Sequence, residues 1–206
     1  MKQFVRAVVL SVGGLALLSS TAMANTITPT PTPIITGTGP YTWTYEVNLE
    51  GNSQVNTGDF FTIFDFAGFT GVATAPNANW TFSSNLTGTC NPQVVAVCTA
   101  FDSATIANLT WTYNGPAFNN TAGGTATPPT QLLIGNFSAQ SIFNLPTNDW
   151  WVSQDDDLQT NTMNEGAAGN TNVPMAQTVP DGGSTAALLG SVLVGFGILR
   201  RKISNI

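Results

Sequence analysis

The stretch Tyr41-Thr42-Trp43-Thr44-Tyr45-Glu46-Val47-Asn48-Leu49-Glu50 alternates without a break. Tyr41, Trp43, Tyr45, Val47 and Leu49 fall on one side, and Thr42, Thr44, Glu46, Asn48 and Glu50 on the other. Successive side chains of a strand point to opposite faces, so this is a strand with one buried and one wet face. Working outward, residues 60–66 are apolar on both sides apart from Thr62 and Asp65, which suits a central strand covered by layers above and below. Residues 79–83, 93–98, 105–113, 131–134, 137–143 and 150–153 are further short candidates separated by Gly, Pro and Asn. Within 105–113, Ala107, Leu109, Trp111 and Tyr113 share the apolar side. No helical stripe is legible between residues 40 and 178. The expected fold class is therefore all-β, an antiparallel β-sandwich of about seven to nine strands.

Charge is distributed unevenly. All five basic residues, Lys2, Arg6, Arg200, Arg201 and Lys202, lie at the two ends, and residues 25 to 199 contain no Lys, Arg or His. At the front, Lys2 and Arg6 precede an apolar run over residues 8–18, and Ala22-Met23-Ala24 places small residues where signal peptidase needs them. Residues 1–24 thus read as a signal peptide cut after Ala24, with Ala22 and Ala24 as the recognised positions. At the back, Val179-Pro180-Asp181-Gly182-Gly183-Ser184-Thr185 precedes an apolar segment that ends at once in Arg200-Arg201-Lys202. The basic cluster holds that end in the cytoplasm and places everything upstream outside. As a single transmembrane helix, residues 184–199 cover about 24 Å, short of a hydrocarbon core of about 30 Å. So marginal a span suits a temporary anchor in the inner membrane.

This three-part tail over residues 179–206 resembles the PEP-CTERM class of sorting signals, in its VPDSG variant. Gly183 stands at the motif's usual glycine, and Gly182 replaces the serine before it. The resemblance implies handling by an exosortase, an integral-membrane enzyme with a catalytic cysteine that cuts at the motif. It further implies release to the cell surface or the extracellular exopolysaccharide matrix of a Gram-negative-type bacterium. Residues 41–51, 58–71, 78–82 and 106–116 also resemble an ectodomain that recurs in PEP-CTERM proteins, a likeness that brings no activity or catalytic residue with it.

Between the two ends the expected organisation is a Thr/Pro-rich linker or leading edge segment at 25–39, a β-sandwich ectodomain at 40–160 and a flexible stalk at 161–178. Removing residues 1–24 and 181–206 leaves 156 residues whose ten acidic side chains face no basic ones, a side-chain charge of −10. Nothing there can neutralise phosphate, so nucleic acid, anionic lipid and phosphorylated ligands are disfavoured, no nucleic-acid partner is expected, and any anionic partner would need a bridging metal ion. Cys90 and Cys98 are the only cysteines and lie in the exported part. A disulfide across the base of a loop or hairpin is expected, with a reduced pair as the alternative.

Candidates for chemistry are few. Without His or Lys the body lacks the bases and nucleophile partners of triad catalysis, so no enzyme is expected and no catalytic residue is singled out. Glu46 and Glu50 share a strand side about 13 Å apart, too wide for either glycosidase geometry. Asp155-Asp156-Asp157 is the only acidic run. Asp155 and Asp157 on extended backbone would stand about 6.6 Å apart, a weak calcium site with Gln154 or Asn161 as further oxygen donors, against a solvated loop as the plainer reading. No other cofactor is implied. Of the five tryptophans, Trp43, Trp80 and Trp111 are expected to fill the core, whereas adjacent Trp150 and Trp151 point to opposite faces, leaving one free to stack on a sugar. The expected role is a structural or interaction protein of the cell surface or biofilm matrix. A carbohydrate-binding module is the alternative, and a glycan-active enzyme the third choice.

Overall fold

Tyr41–Leu49 forms the strand its alternation predicts, with Trp43, Tyr45, Val47 and Leu49 fully buried and Glu46 exposed. The structure, a computed structural model, describes residues 26–121 and 131–176 together with Leu188, Leu189, Ser191 and Val192. In chain order the strands are β1 (Ile27–Pro29), β2 (Ile34–Thr36), β3 (Tyr41–Leu49), β4 (Ser53–Val55), β5 (Phe60–Ile63), β6 (Phe69–Thr74), β7 (Trp80–Asn85), β8 (Asn108–Tyr113), β9 (Phe118–Asn120), β10 (Leu132–Ser141), β11 (Pro146–Asp157) and β12 (Thr162–Pro174). One 3₁₀ turn, Pro92–Val94, leads into the helix α1 (Val95–Phe101).

All strand pairs are antiparallel and make two sheets, an arrangement consistent with a β-sandwich. The smaller runs β1-β3-β10-β6, with β2 also on β3. The larger runs β7-β8-β5-β11-β4-β9, with β12 on the opposite edge of β11. Between the sheets lies an aromatic core. Phe61 of β5 stacks on Trp111 of β8 with centroids 5.1 Å apart, and Phe137 of β10 meets Phe61 edge-on at 4.9 Å and Trp80 edge-on at 5.1 Å. Phe137 thus inserts from the smaller sheet into a nest made by the larger one, in the edge-to-face geometry that ring quadrupoles favour. The buried polar ends of the aromatics are satisfied. Tyr45 donates to the Asn172 carbonyl at 3.0 Å and Trp111 Nε1 to the Thr74 carbonyl at 3.2 Å, each tying one sheet to the other.

Several expectations need correction. Of the two readings of the Thr/Pro-rich stretch, residues 26–39 follow the edge segment and not the linker, because β1 and β2 both pair with β3 and Ile27 is fully buried. Proline lacks only the donor, and the carbonyls of Thr30 and Pro31 still accept from Thr171 and Asn172. Residues 161–178 are not a stalk as far as Pro174, since β12 is a 13-residue strand zipped along β11. Its small residues make room: a Cβ at Gly169 would stand 2.6 Å from the Trp151 ring. Residues 93–98 form a 3₁₀ turn and the start of α1 instead of a strand, and Asn91 caps the turn by accepting from the Gln93 amide at 2.8 Å. Residues 131–143 hold one strand, β10, interrupted by a register shift between Leu133 and Gly135. The described residues carry twelve strands in place of seven to nine.

Cys90 and Cys98 are joined, with Cα atoms 6.3 Å apart. The bond anchors α1 over the outer face of the larger sheet, where Cys98 packs with Phe60, Phe64 and Val152. Substituting Phe137 by Ala is expected to cost about 3–5 kcal/mol, because the cavity would be lined by rings held in place by other neighbours. Urea unfolding with an unchanged m-value checks this, and a loss below about 1 kcal/mol would show that the sheets are held together elsewhere.

Candidate functional site

The densest group of polar side chains lies where β11 ends. Along β11, Trp151 and Ser153 face the smaller sheet, Trp151 within the core and Ser153 Oγ 2.8 Å from Thr26 Oγ1. Trp150, Val152 and Gln154 face outward, the first two against α1 and the cysteines. By the same alternation Asp155 faces inward and Asp156 outward.

On the outer side, every carboxylate meets amides. Asp59 accepts from the Asn56 amide at 2.6 Å and from Gln154 Nε2 at 3.3 Å. Asp156 accepts from the Asn164 amide at 2.7 Å and from Asn56 Nδ2 at 2.5 Å. Asn91 Nδ2 donates to Gln154 Oε1 and to the Asn164 carbonyl, linking the loop before α1 to both long strands. Asp157 accepts from the Gln159 amide at 2.6 Å and from the Thr160 hydroxyl, and so closes the β11–β12 turn. The acidic run is thus not a solvated loop: Asp155, Asp156 and Asp157 are all buried in strand β11. A register shift falls between Asp155 and Asp157, and the two carboxylates do different work. Among the described residues no three Asp, Glu, His or Cys side chains are placed to hold one metal ion.

Asp155 is the exception in this network. It is fully buried and neither carboxylate oxygen has a hydrogen-bond partner; Ser53 Oγ and Glu165 Oε2 are likewise buried and unpartnered. Glu165 stands directly opposite Asp155 on β12. Burial pushes the Asp155 carboxyl up to about 8, with Asp59, Glu165 and Asp156 adding repulsion and the nearby Ser53 hydroxyl offsetting part of it. Burial also raises Glu165, with Asp157 as the lesser cause.

A second acidic group sits at the other end of β5. Asp65, in the left-handed region at φ +49°, accepts from the Ser103 amide at 3.0 Å. Burial raises it to about 6, and Asp149 and Asp102 add to the rise. Asp59 is also raised to about 6, by burial first and by Asp156 to a smaller extent, against the hydrogen bonds it accepts from Asn56 and Gln154. Of the spaced glutamates, Glu46 is exposed, whereas Glu50 is buried and accepts from Gln131.

Trp43, Trp80 and Trp111 are core residues, as expected. Trp151 joins them at 5% exposure and has no face left for a sugar. Trp150 is half-buried and stacks on the exposed Phe101 of α1 with centroids 4.9 Å apart. The sequence reading missed Ser53 and Glu165, and the roles of Asn56, Asn91 and Asn164. No local pattern marks them, because a register and two loops bring them together.

The signal peptide with Ala22 and Ala24, and the motif Val179 to Thr185 with the tail Arg200, Arg201 and Lys202, lie outside the described residues. Leu188, Leu189, Ser191 and Val192 are helical and exposed. No helix among the described residues is long and apolar enough to cross a membrane. The family model of the VPDSG-CTERM motif matches residues 178–203, so the chain carries a PEP-CTERM-type sorting signal. Such a signal marks a secreted protein handled by exosortase. No curated protein and no solved structure matches the chain.

The raised carboxyls set a pH dependence. A group that holds its proton more tightly when folded binds more protons in the native than in the unfolded state, so stability falls as pH rises between the two values. For Asp59 and Asp65 that window runs from about 4 to about 6. The melting temperature is expected to fall across it, and the double variant Asp59→Asn, Asp65→Asn to flatten the fall. A wild-type melting temperature that climbs from pH 4 to pH 6 would contradict this.

Proposed function

We propose that this chain is an exported structural or interaction protein of the cell surface or extracellular polysaccharide matrix, paused in the inner membrane by its tail and released there by an exosortase. The observation that carries the reading is the VPDSG-CTERM match at residues 178–203, a stretch that takes in the basic cluster Arg200, Arg201 and Lys202. The body agrees with it in character. Its charge is entirely acidic, its carboxylates are mostly engaged in turns and strand ends, and its aromatics are mostly spent on the core. We assign it no catalytic activity, because the body has no His, Lys or free thiol to serve as the base or nucleophile partner of triad chemistry.

A carbohydrate-binding role is the second reading, and Trp150 stacked on Phe101 is what favours it. Two partly exposed rings on the outer face of a sheet offer an apolar platform for a sugar ring. Pull-down on matrix polysaccharide separates the readings: retention that is lost in Trp150→Ala would establish the module.

The sorting reading is tested with an epitope placed after Ile206 and an antibody against the body. In a host with an active exosortase the surface fraction is expected to carry the body without the epitope. Changing Arg200, Arg201 and Lys202 to Gln removes the orienting charge and is expected to reduce surface sorting. If the epitope and body remain on one membrane-embedded species, the tail is a permanent anchor.

A further inference from the structure

We propose that β7 is a self-association edge: two copies of this chain pair their β7 strands antiparallel across a two-fold axis at Ser83, joining their larger sheets into one. The inference goes beyond the export reading and does not depend on it, since β7 lies within the body however the ends are processed. Its first support is an open strand edge. β7 ends the larger sheet and pairs only with β8. The Asn114 amide donates to the Asn79 carbonyl just before the ladder begins, so the alternation of antiparallel pairs makes Thr81, Ser83 and Asn85 the residues bonded to β8. The backbone N–H and C=O of Phe82 and Ser84 therefore point away from the sheet, and among the described residues they meet no partner. Thr81, Ser83, Ser84 and Asn85 are exposed.

The second support is the contrast with the other edges. An open edge is a template for another chain, and proteins blunt it with charge, proline, a bulge, a very short strand or a cover. β1 and β2 are three residues each, in a run that holds Pro29, Pro31 and Pro33. β6 carries Gly71 at φ +89° and faces a register shift in β10. β9 is three residues long. The long β12 is covered at both ends: Gln93 Oε1 accepts from the Gly166 amide at 3.1 Å, Asn91 Nδ2 donates to the Asn164 carbonyl at 3.0 Å, and the Pro31 carbonyl accepts from the Asn172 amide at 2.9 Å. β7 has none of these devices. Its six residues keep one register with β8 and include no proline, no charge and no positive φ.

Charge decides the occupant. Two copies of an entirely acidic body repel each other unless they meet where charge is absent. Residues 66–101 and 103–148, which hold β6 to β10, contain no Asp, Glu, Lys or Arg. The carboxylates lie on or beside β3, β5, β11 and β12, apart from Asp102 after α1. Asp102 accepts from Asn108, the ladder partner of Asn85, and antiparallel pairing carries the two Asp102 residues to opposite ends. A basic strand would be drawn to the carboxylates along β11; an uncharged edge favours an uncharged strand, and a second β7 is one. An axis at Ser83 sets Phe82 opposite Ser84 of the second copy and Ser84 opposite its Phe82. Each pair exchanges both N–H···O bonds, so every outward group of Phe82 and Ser84 is used. Outside the sheet the same register sets Ser83 against Ser83 and Thr81 against Asn85, polar pairs that carry no charge.

The test places a thiol on the axis, in the full chain as its host makes it. Cys90 and Cys98 are joined, so an added cysteine is the one free thiol. Residues opposed in a non-hydrogen-bonded pair have Cα atoms about 4.5 Å apart, within the roughly 4.4–6.8 Å that a disulfide spans. Ser83→Cys is expected to give a covalent dimer under mild oxidation. Thr81→Cys alone is expected to give little, because its counterpart lies four residues along the partner strand, about 13 Å away, and mixing it with Asn85→Cys is expected to recover the dimer. Ser84→Pro removes an outward donor and leaves the bonds to β8 in place, so it is expected to abolish the Ser83→Cys dimer with the melting temperature little changed. Sedimentation supplies a second readout. Ser83→Asp and Ser83→Lys proteins are each expected to be monomers where wild type is a dimer, and their mixture to be a dimer again, which also shows that both fold. Equal cross-linking at 81 and 83, or a wild-type chain that is monomeric at every concentration, overturns the inference and leaves the edge to a strand of another protein. A dimer unmoved by Ser84→Pro and Ser83→Asp overturns it as well, since its contact lies elsewhere. The expected cross-linking pattern in a chain that keeps its tail supports this inference and counts only against the export reading.

Discussion

An acidic body with no cation of its own is the constraint from which the rest of this structure follows. Ten carboxylates between residues 25 and 180 must be kept in solvent or given neutral donors, because no side chain there can form an ion pair. The chain answers with amides. Asn56, Asn91, Gln154 and Asn164 weave between β11, β12 and two loops, and backbone amides of Asn56, Ser103, Gln159 and Asn164 each meet an aspartate. Hydrogen bonds to charged acceptors are stronger than neutral ones, so this network does at the strand ends what salt bridges do in other proteins. Asp155 is the one buried aspartate it does not reach.

Between the sheets the organising contact is Phe137. It is the large aromatic of the smaller sheet that the Phe61, Trp80 and Trp111 rings grip, while Tyr45 and Trp111 fasten the same two layers with hydrogen bonds at either side. Outside the larger sheet, the Cys90–Cys98 bond holds α1 down over Phe60, Phe64 and Val152, forming a second, smaller core. A disulfide in this position suits a protein that works in an oxidising compartment, which agrees with a secreted chain.

The strands with two-residue periodicity were legible because one face is buried and the other wet, as in Tyr41–Leu49, or because both are buried, as in Phe60–Ile63. The edge strand β1 was hidden by prolines, whose carbonyls still accept, and β12 by glycine and alanine, which look like a linker yet are what Trp151 requires beneath it. The helix left a readable trace: Val94, Val97, Cys98 and Phe101 recur at helical spacing, masked by the strand preference of valine. The acidic run misled in a different way. Three adjacent aspartates imply solvent, but β11 runs straight through them and the alternation sends one inward. Which residues then surround it depends on β4 and β12, and no reading of residues 150–160 alone contains that information. The sorting signal was legible because it is a linear motif that needs no folded context to be recognised.

On the proposed function, the molecule released at the surface is the β-rich body trimmed at both ends and closed by the Cys90–Cys98 disulfide. The intact mass of the protein released at the surface, measured without reduction, tests this most directly. It should correspond to a chain that begins at Asn25, ends within the 179–185 motif and is two hydrogens lighter than its reduced form. A mass that still includes residues 186–206 or any part of 1–24 would contradict it.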